Sequence, residues 1–291
     1  LLAAAAPLGG PERLILRELT PDQALALAAV GLPAIAAGGW LLGAALAVND
    51  QYGFTLRRDA GDLHYDRGLL TSLSGTIPLQ RVQTLTVREN VLQRALGYAG
   101  LSIDTAGYGG QESGGQRSAI PMAGRDRVST LAADVTGVTV DAKFQRPPER
   151  ARRRYAARYA LVVATITVVA FALARTVGNF SLWWTPPLLF AAVPPAAHLT
   201  WRHRGYAARE DHLLVRSGFW TRRTTVVPYD RLQTIERRAS LFQRRRDLAS
   251  VVTDTASGAV LGNGGAVVYD LDANVADRLR DDLRAELTAR T

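Results

Sequence analysis

The side chains best equipped to bind something are arginines. Arg222, Arg223, Arg237, Arg238, Arg244, Arg245 and Arg246 crowd the C-terminal part of the chain. A guanidinium presents a planar fork of donors that matches phosphate and carboxylate geometry. Near an anionic bilayer each basic residue gains about 1 kcal/mol. The cluster is therefore a candidate contact for an anionic headgroup or an acidic partner surface. A solvated face is the competing reading, because every basic residue except Lys143 is arginine and alanine is abundant, a composition-wide bias.

Other chemistry is poorly provided for. The chain has no cysteine, which excludes disulfides, thiolate metal sites and thiol nucleophiles. His64, His198, His203 and His212 are scattered and form no metal-binding pair at helical spacing. The loop Gly107–Gly115 lacks the spacing of a phosphate-binding turn, and no G-x-S-x-G elbow occurs. Asp59, Asp62 and Asp66 read as a solvated turn and strand start. No catalytic residue, cofactor or metal site is expected, and the protein reads as a non-enzyme. The net charge of +9 suits anionic partners, but neither a recognition helix nor an aromatic stacking motif points to nucleic acid.

The elements that must carry these residues are set by a duplication. Thr76–Gly107 recurs without a gap as Val226–Ser257. Pro78, Arg81, Gln83, Thr84, Arg88, Gln93, Arg94 and Asp104 return as Pro228, Arg231, Gln233, Thr234, Arg238, Gln243, Arg244 and Asp254, and upstream Gly68 matches Gly218. The chain thus holds two copies of one module. In each copy an arginine (Arg81, Arg231) is expected to pair with an aspartate (Asp104, Asp254). Together with Pro78, Gln83, Pro228 and Gln233 these residues read as a core signature more than a ligand site. Short β-branched runs bounded by glycine predict strands at Phe54–Arg57, Leu63–Asp66, Thr76–Ile77, Thr84–Val87 and Leu101–Asp104, then a helix over Arg125–Val135. In the second copy the strand signals are Leu213–Arg216, Thr224–Val227, Gln233–Arg237, Val251–Thr253 and Ala266–Tyr269, and Asn263-Gly264 reads as a turn. A helix follows over Asp272–Leu287, with Val275, Leu279, Leu283 and Leu287 on one stripe.

Apolar stretches precede and separate the modules. Residues 23–48 carry no charge, and about 25 helical residues reach about 37 Å, enough to cross a bilayer. Gly39 and Gly43 have the spacing that lets membrane helices approach closely. Residues 146–158 form a basic linker, and 159–201 read as a transmembrane helical hairpin turning near Arg175. Arginines flank the hairpin on both sides, so the positive-inside rule places both modules in the cytoplasm of a multi-pass protein. Residues 1–22 do not have the pattern of a signal peptide.

Tyr52-Gly-Phe54, Arg67–Leu70, Ile77–Gln83, Leu92-Gln-Arg94, Leu96-Gly97 and Asp104–Gly107 together resemble the bacterial pleckstrin-homology-like domain of YdbS/YdbT-type membrane proteins. The resemblance implies an α+β membrane protein in which two PH-like modules, 50–145 and 205–291, are bent seven-stranded sheets or split barrels. A C-terminal helix closes each, and transmembrane helices interleave with them. It also implies that residues 1–22 are the tail of a further upstream domain. The implied function is a cytoplasmic-face interaction or scaffold module, loosely linked to envelope stress or toxin resistance. Its partners would be membrane lipid and a protein of unknown identity, with a homologous PH-like membrane protein as one candidate. An anionic-headgroup sensor using the arginine-rich second module is the first alternative. A subunit of a membrane enzyme or transporter is the second, disfavoured by spans without an acid or base.

Overall fold

The computed structural model describes residues 21–59, 61–106, 116–177, 184–256 and 265–290. Residues 1–20, the glycine loop 107–115 and the Asn263-Gly264 turn lie outside them. Chain contacts gather the protein into two units. One comprises residues up to Thr55 with Asp66–Gly75, the other Leu56–Tyr65 with Thr76–Thr291. Most of both repeat copies falls in the second unit, for a reason that lies in the strand pairing below.

In the first unit a 31-residue helix, α1 (Pro21–Gln51), contains the uncharged stretch 23–48. Its described apolar side chains are exposed, Trp40 to 72%. Among the described residues, no atom lies within 4 Å of where a Cβ on Gly39 or Gly43 would sit. The close packing those glycines permit is therefore not used within this unit. Beyond α1 the chain closes on itself. Gly68 N donates to Tyr52 O at 2.9 Å and Leu69 N to Asn49 O at 2.9 Å. Leu70 N reaches Asn49 Oδ1 at 3.1 Å. Gly68 has φ +112°, and a Cβ there would meet Thr71 O at 2.0 Å. Its counterpart Gly218 has φ +86° and the same conflict with Thr221 O at 2.1 Å. That shared turn is why both glycines recur in the sequence.

Each copy supplies six strands among the described residues. The first has β1 (Thr55–Asp59), β2 (Asp62–Arg67), β3 (Leu73–Pro78), β4 (Val82–Asn90), β5 (Tyr98–Thr105) and β6 (Gln116–Gly124), followed by helix α3 (Arg125–Thr136). A short helix α2 (Val91–Leu96) turns β4 into β5. The strands form three sheets instead of two closed modules. β1-β2-β3 is one. The second copy contributes β7 (Gly205–Ala208), β8 (His212–Ser217), β9 (Thr221–Pro228), β10 (Leu232–Arg238), β11 (Leu248–Thr255) and β12 (Val267–Asp272). Of these, β10-β11-β12 stand alone, while β7-β8-β9 join the first copy's strands in the order β6-β5-β4-β9-β8-β7. Half of each module thus shares one six-stranded sheet. The seven-stranded sheet expected of each module is accordingly replaced.

The sequence repeat makes the same corner twice. Asn90 caps α2, accepting from Gln93 N at 2.7 Å while Gln93 returns a bond to Asn90 N at 2.9 Å. In the second copy Ser240 and Gln243 cap helix α6 (Leu241–Arg244) in the same way. The reciprocal box needs glutamine at the third helical position, which explains Gln93 and Gln243. Asp104 accepts from the Thr84 hydroxyl at 2.6 Å, and Arg231 lies 3.2 Å from its neighbour Asp230. Helix α7 (Ala273–Arg290) lays Ala276, Leu279 and Leu283 on the core of β8–β12.

The basic segment 146–158 is largely helical. Helix α4 (Glu149–Val177) starts inside it and runs into the apolar stretch, since no Pro or Gly interrupts it. Among the described residues this is the one helix long and apolar enough to cross a membrane. The expected second limb is not a continuous helix. It is a 3-10 segment, Pro186–Ala192, followed by α5 (Val193–Arg202), each opening with a proline pair. Proline lacks an N–H and clashes with the carbonyl four residues back, so the helix restarts at each pair. The fold is therefore two PH-like modules with helices, and among the described residues one of those helices is long and apolar enough to cross a membrane.

Candidate interaction site

The shared sheet turns on the pairing of β4 with β9, which runs from Leu85↔Val226 to Asn90↔Thr221. Across it the Thr86 and Thr225 hydroxyls lie 3.2 Å apart. Glu89, with its side chain 5% exposed, receives Arg222 through Nε at 2.6 Å and Nη2 at 2.5 Å. Arg125 approaches the same carboxylate at 3.5 Å. Both Arg222 donors converge on Oε2, while Oε1 accepts no hydrogen bond among the described residues. Such a charge-assisted, partly desolvated contact is stronger than a surface ion pair. Arg216 stacks on Phe144 at 3.8 Å, and burial, then the charge of Arg222, pushes its guanidinium down to about 10. Arg88 faces Arg223 across the junction. It is lowered by burial and then by that like charge, with Asp104 acting in the opposite sense.

One end of the junction is held by a residue the repeat preserves. Arg94, from α2, donates to Phe219 O at 2.9 Å and stands over the Phe219 ring. Phe219 packs edge-on to His203, 5.2 Å away, just beyond α5. The β8–β9 hairpin is thereby pinned between the first module and the helical pair.

A second cluster ties α4 and α5 to the second module. Asp270 is fully buried with φ +57°. Its carboxylate meets Arg154, Gln243 Nε2 at 2.7 Å and Arg204 at 3.6 Å. Arg204 lies between the rings of Tyr155 and Tyr269, 4.6 Å from each. Arg150 pairs with Asp272. The arginines read from sequence as topology signals are thus partly structural clamps.

The sequence-derived arginine cluster divides. Arg222 points into the junction and is not available to a headgroup. Arg237 engages Asp277 at 3.0 Å and Arg238 engages Glu236 at 2.7 Å. Arg223, Arg244 and Arg245 are exposed, and Arg246 is half-buried. Beside Arg244, Leu241 and Phe242 are 68% and 70% exposed. Glu89 and Asp270 were not singled out by sequence reading. One signal for the first was available: Glu89 and Arg222 stand where the other copy has Ala239 and Ser72, so both members of the pair change together. Among the described residues no group of three His, Asp or Glu side chains is placed to hold a metal.

The family model for the bacterial PH domain matches residues 14–138 and again 157–287. The transmembrane protein YdbT of Bacillus subtilis (strain 168) is 25% identical over 210 residues, which cover 71% of this chain and 41% of that relative. The chain thus spans less than half the length of the curated relative it matches. No solved structure matches. Two matches, one on each copy, agree with the two strand sets each followed by a helix. The chain belongs to the bacterial PH domain family and carries the domain twice.

Proposed function

We propose that the protein is a non-catalytic, multi-pass scaffold whose two PH-like modules act as one platform on the cytoplasmic face of the membrane. The observation that carries this reading is the β4–β9 junction, which makes a single sheet from half of each module. A fused surface suits the holding of a partner in fixed geometry. Two flexibly tethered sensors would need no such junction. Multi-pass insertion is supported by exposed apolar side chains on α4, including Leu161, Val168 and Leu173, and by the uncharged length of α1. The 3-10 segment and α5 together extend roughly 29 Å, enough for a return limb. Arginines at both feet of the hairpin favour a cytoplasmic platform.

The alternative is a headgroup sensor. It draws on Phe242 beside Arg244 and Arg245, an apolar tip rimmed by positive charge. Hydrogen exchange on the full chain in nanodiscs separates the two. The scaffold reading expects amides of Arg237–Arg246 to exchange alike in zwitterionic and anionic lipid. Protection confined to anionic discs would contradict it and favour the sensor. On the scaffold reading, cells lacking the protein should also grow more poorly under membrane-active toxins.

A further inference from the structure

The two copies are alike in sequence and unlike in partnering. In β4, covered by β9, Gln83, Thr84 and Thr86 are buried. Their counterparts in β10, Gln233, Thr234 and Glu236, are exposed, and among the described residues β10 ends its sheet. The complementary strand shows the same contrast. Thr224 and Val226 of β9 are buried, whereas Ser74 and Thr76 of β3 are exposed and β3 ends its sheet. β1, β6, β7 and β12 are terminal strands in both copies. Among the described residues, β3 and β10 are the strands that lack a neighbour their duplicates possess.

We infer that β10 of one copy of this protein pairs with β3 of a second copy, in the geometry that joins β4 to β9 within the chain. The inference deepens the scaffold reading and rests on it for a protein occupant. The duplication sets the register. Leu85↔Val226, Arg88↔Arg223 and Asn90↔Thr221 become Ile235↔Thr76, Arg238↔Leu73 and Ser240↔Thr71. No like charges oppose one another in that register. The buried Glu89–Arg222 pair is replaced by Ala239 and Ser72, a matched loss of charge on both sides.

The corner beside the strand fits as well. Arg94 holds the carbonyl of Phe219. Its duplicate Arg244 is exposed, and the duplicate of Phe219 is Leu69. Leu69 and Leu70 are 55% and 86% exposed, and Leu241 and Phe242 are bare on the other half. In the paired state Arg244 donates to the Leu69 carbonyl, while Leu70 and Phe242 stay exposed as their duplicates Trp220 and Leu92 do beside the β4–β9 junction. A bilayer could take up Phe242 and Arg244, but it cannot satisfy the open N–H and C=O groups along β10, which a strand can. The contact uses different surfaces on its two sides, so repetition yields a ring or a filament.

The absence of cysteine from the chain gives a clean test. Two full-length versions, one with Arg238→Cys and one with Leu73→Cys, are coexpressed with different tags and oxidised in the membrane. A disulfide joining the two tags is expected. Replacing Leu73→Cys by Ser74→Cys, one residue along and on the other face of the strand, should reduce it strongly. Adding Arg244→Ala should lower the yield about tenfold, the loss of one charged hydrogen bond. Absence of the joined product, or an equal yield at Ser74, would overturn the inference. A missing disulfide together with lipid-independent exchange at Arg237–Arg246 removes the inference and leaves the scaffold reading standing.

Discussion

At the residue scale the decisive groups are buried charges. Glu89 has two arginines within reach, but only Arg222 hydrogen-bonds it, with Nε and Nη2 on the same oxygen. Arg222→Ala leaves a desolvated carboxylate facing Arg125 at a distance, and the expected loss of stability is about 3 kcal/mol. Denaturant unfolding of the solubilised protein measures it. Glu89→Met with Arg222→Met should recover most of that loss, since removing both charges also removes their desolvation cost. His212 gives the pH dependence. It lies in β8, 8% exposed, with neither ring nitrogen hydrogen-bonded. Burial lowers its pKa from the ordinary 6.5, with smaller opposing effects of Asp211 and Arg209. The unfolded chain therefore binds this proton more readily than the folded one. Stability from this group is complete above pH 6.5 and declines as pH falls below it. His212→Phe should flatten that decline in an unfolding series across pH. An unchanged slope would assign it elsewhere, with His203, also lowered by burial, as the next group to replace.

At the scale of elements the terminal helix and the hairpin turns bear the load. Leu283 on α7 is 1% exposed, and Leu283→Ala should cost about 2–5 kcal/mol through lost burial and the cavity left behind. Gly218→Ala places a Cβ 2.1 Å from Thr221 O in a left-handed turn and should cost about 1–3 kcal/mol. Thermal unfolding checks both. Helices were well marked in the sequence, because 3.6-residue apolar periodicity is long and self-consistent: the spans read as Arg125–Val135 and Asp272–Leu287 are Arg125–Thr136 and Ala273–Arg290. β6 and β7 escaped. Pro121 argues against a strand interior, and Gly205–Ala208 is too short to show alternation. The β4–β9 pairing was not legible in either strand, since an alternating pattern records which face is buried and not which strand lies alongside. The arginine corner was visible as the place where the copies differ. What it lies beside, an open strand edge, required the topology.

At the scale of the whole molecule, the duplication gives two PH-like modules and the β4–β9 pairing joins half of each in one sheet. The topology reading is checked by reporters on the full chain. A cytoplasmic reporter after Thr291 should be active and one inserted at Gly178 inactive; the reverse result would place the platform on the opposite side. The most direct test of the central claim, that the modules are joined through β4 and β9, uses the facing hydroxyls of Thr86 and Thr225, 3.2 Å apart. Directly opposed strand residues of this kind bring Cβ atoms close to disulfide range. Thr86→Cys with Thr225→Cys should oxidise within a single chain, giving one cross-linked peptide by mass spectrometry and monomer mobility on a denaturing gel. Free thiols after oxidation, or a disulfide found only between chains, would contradict the account.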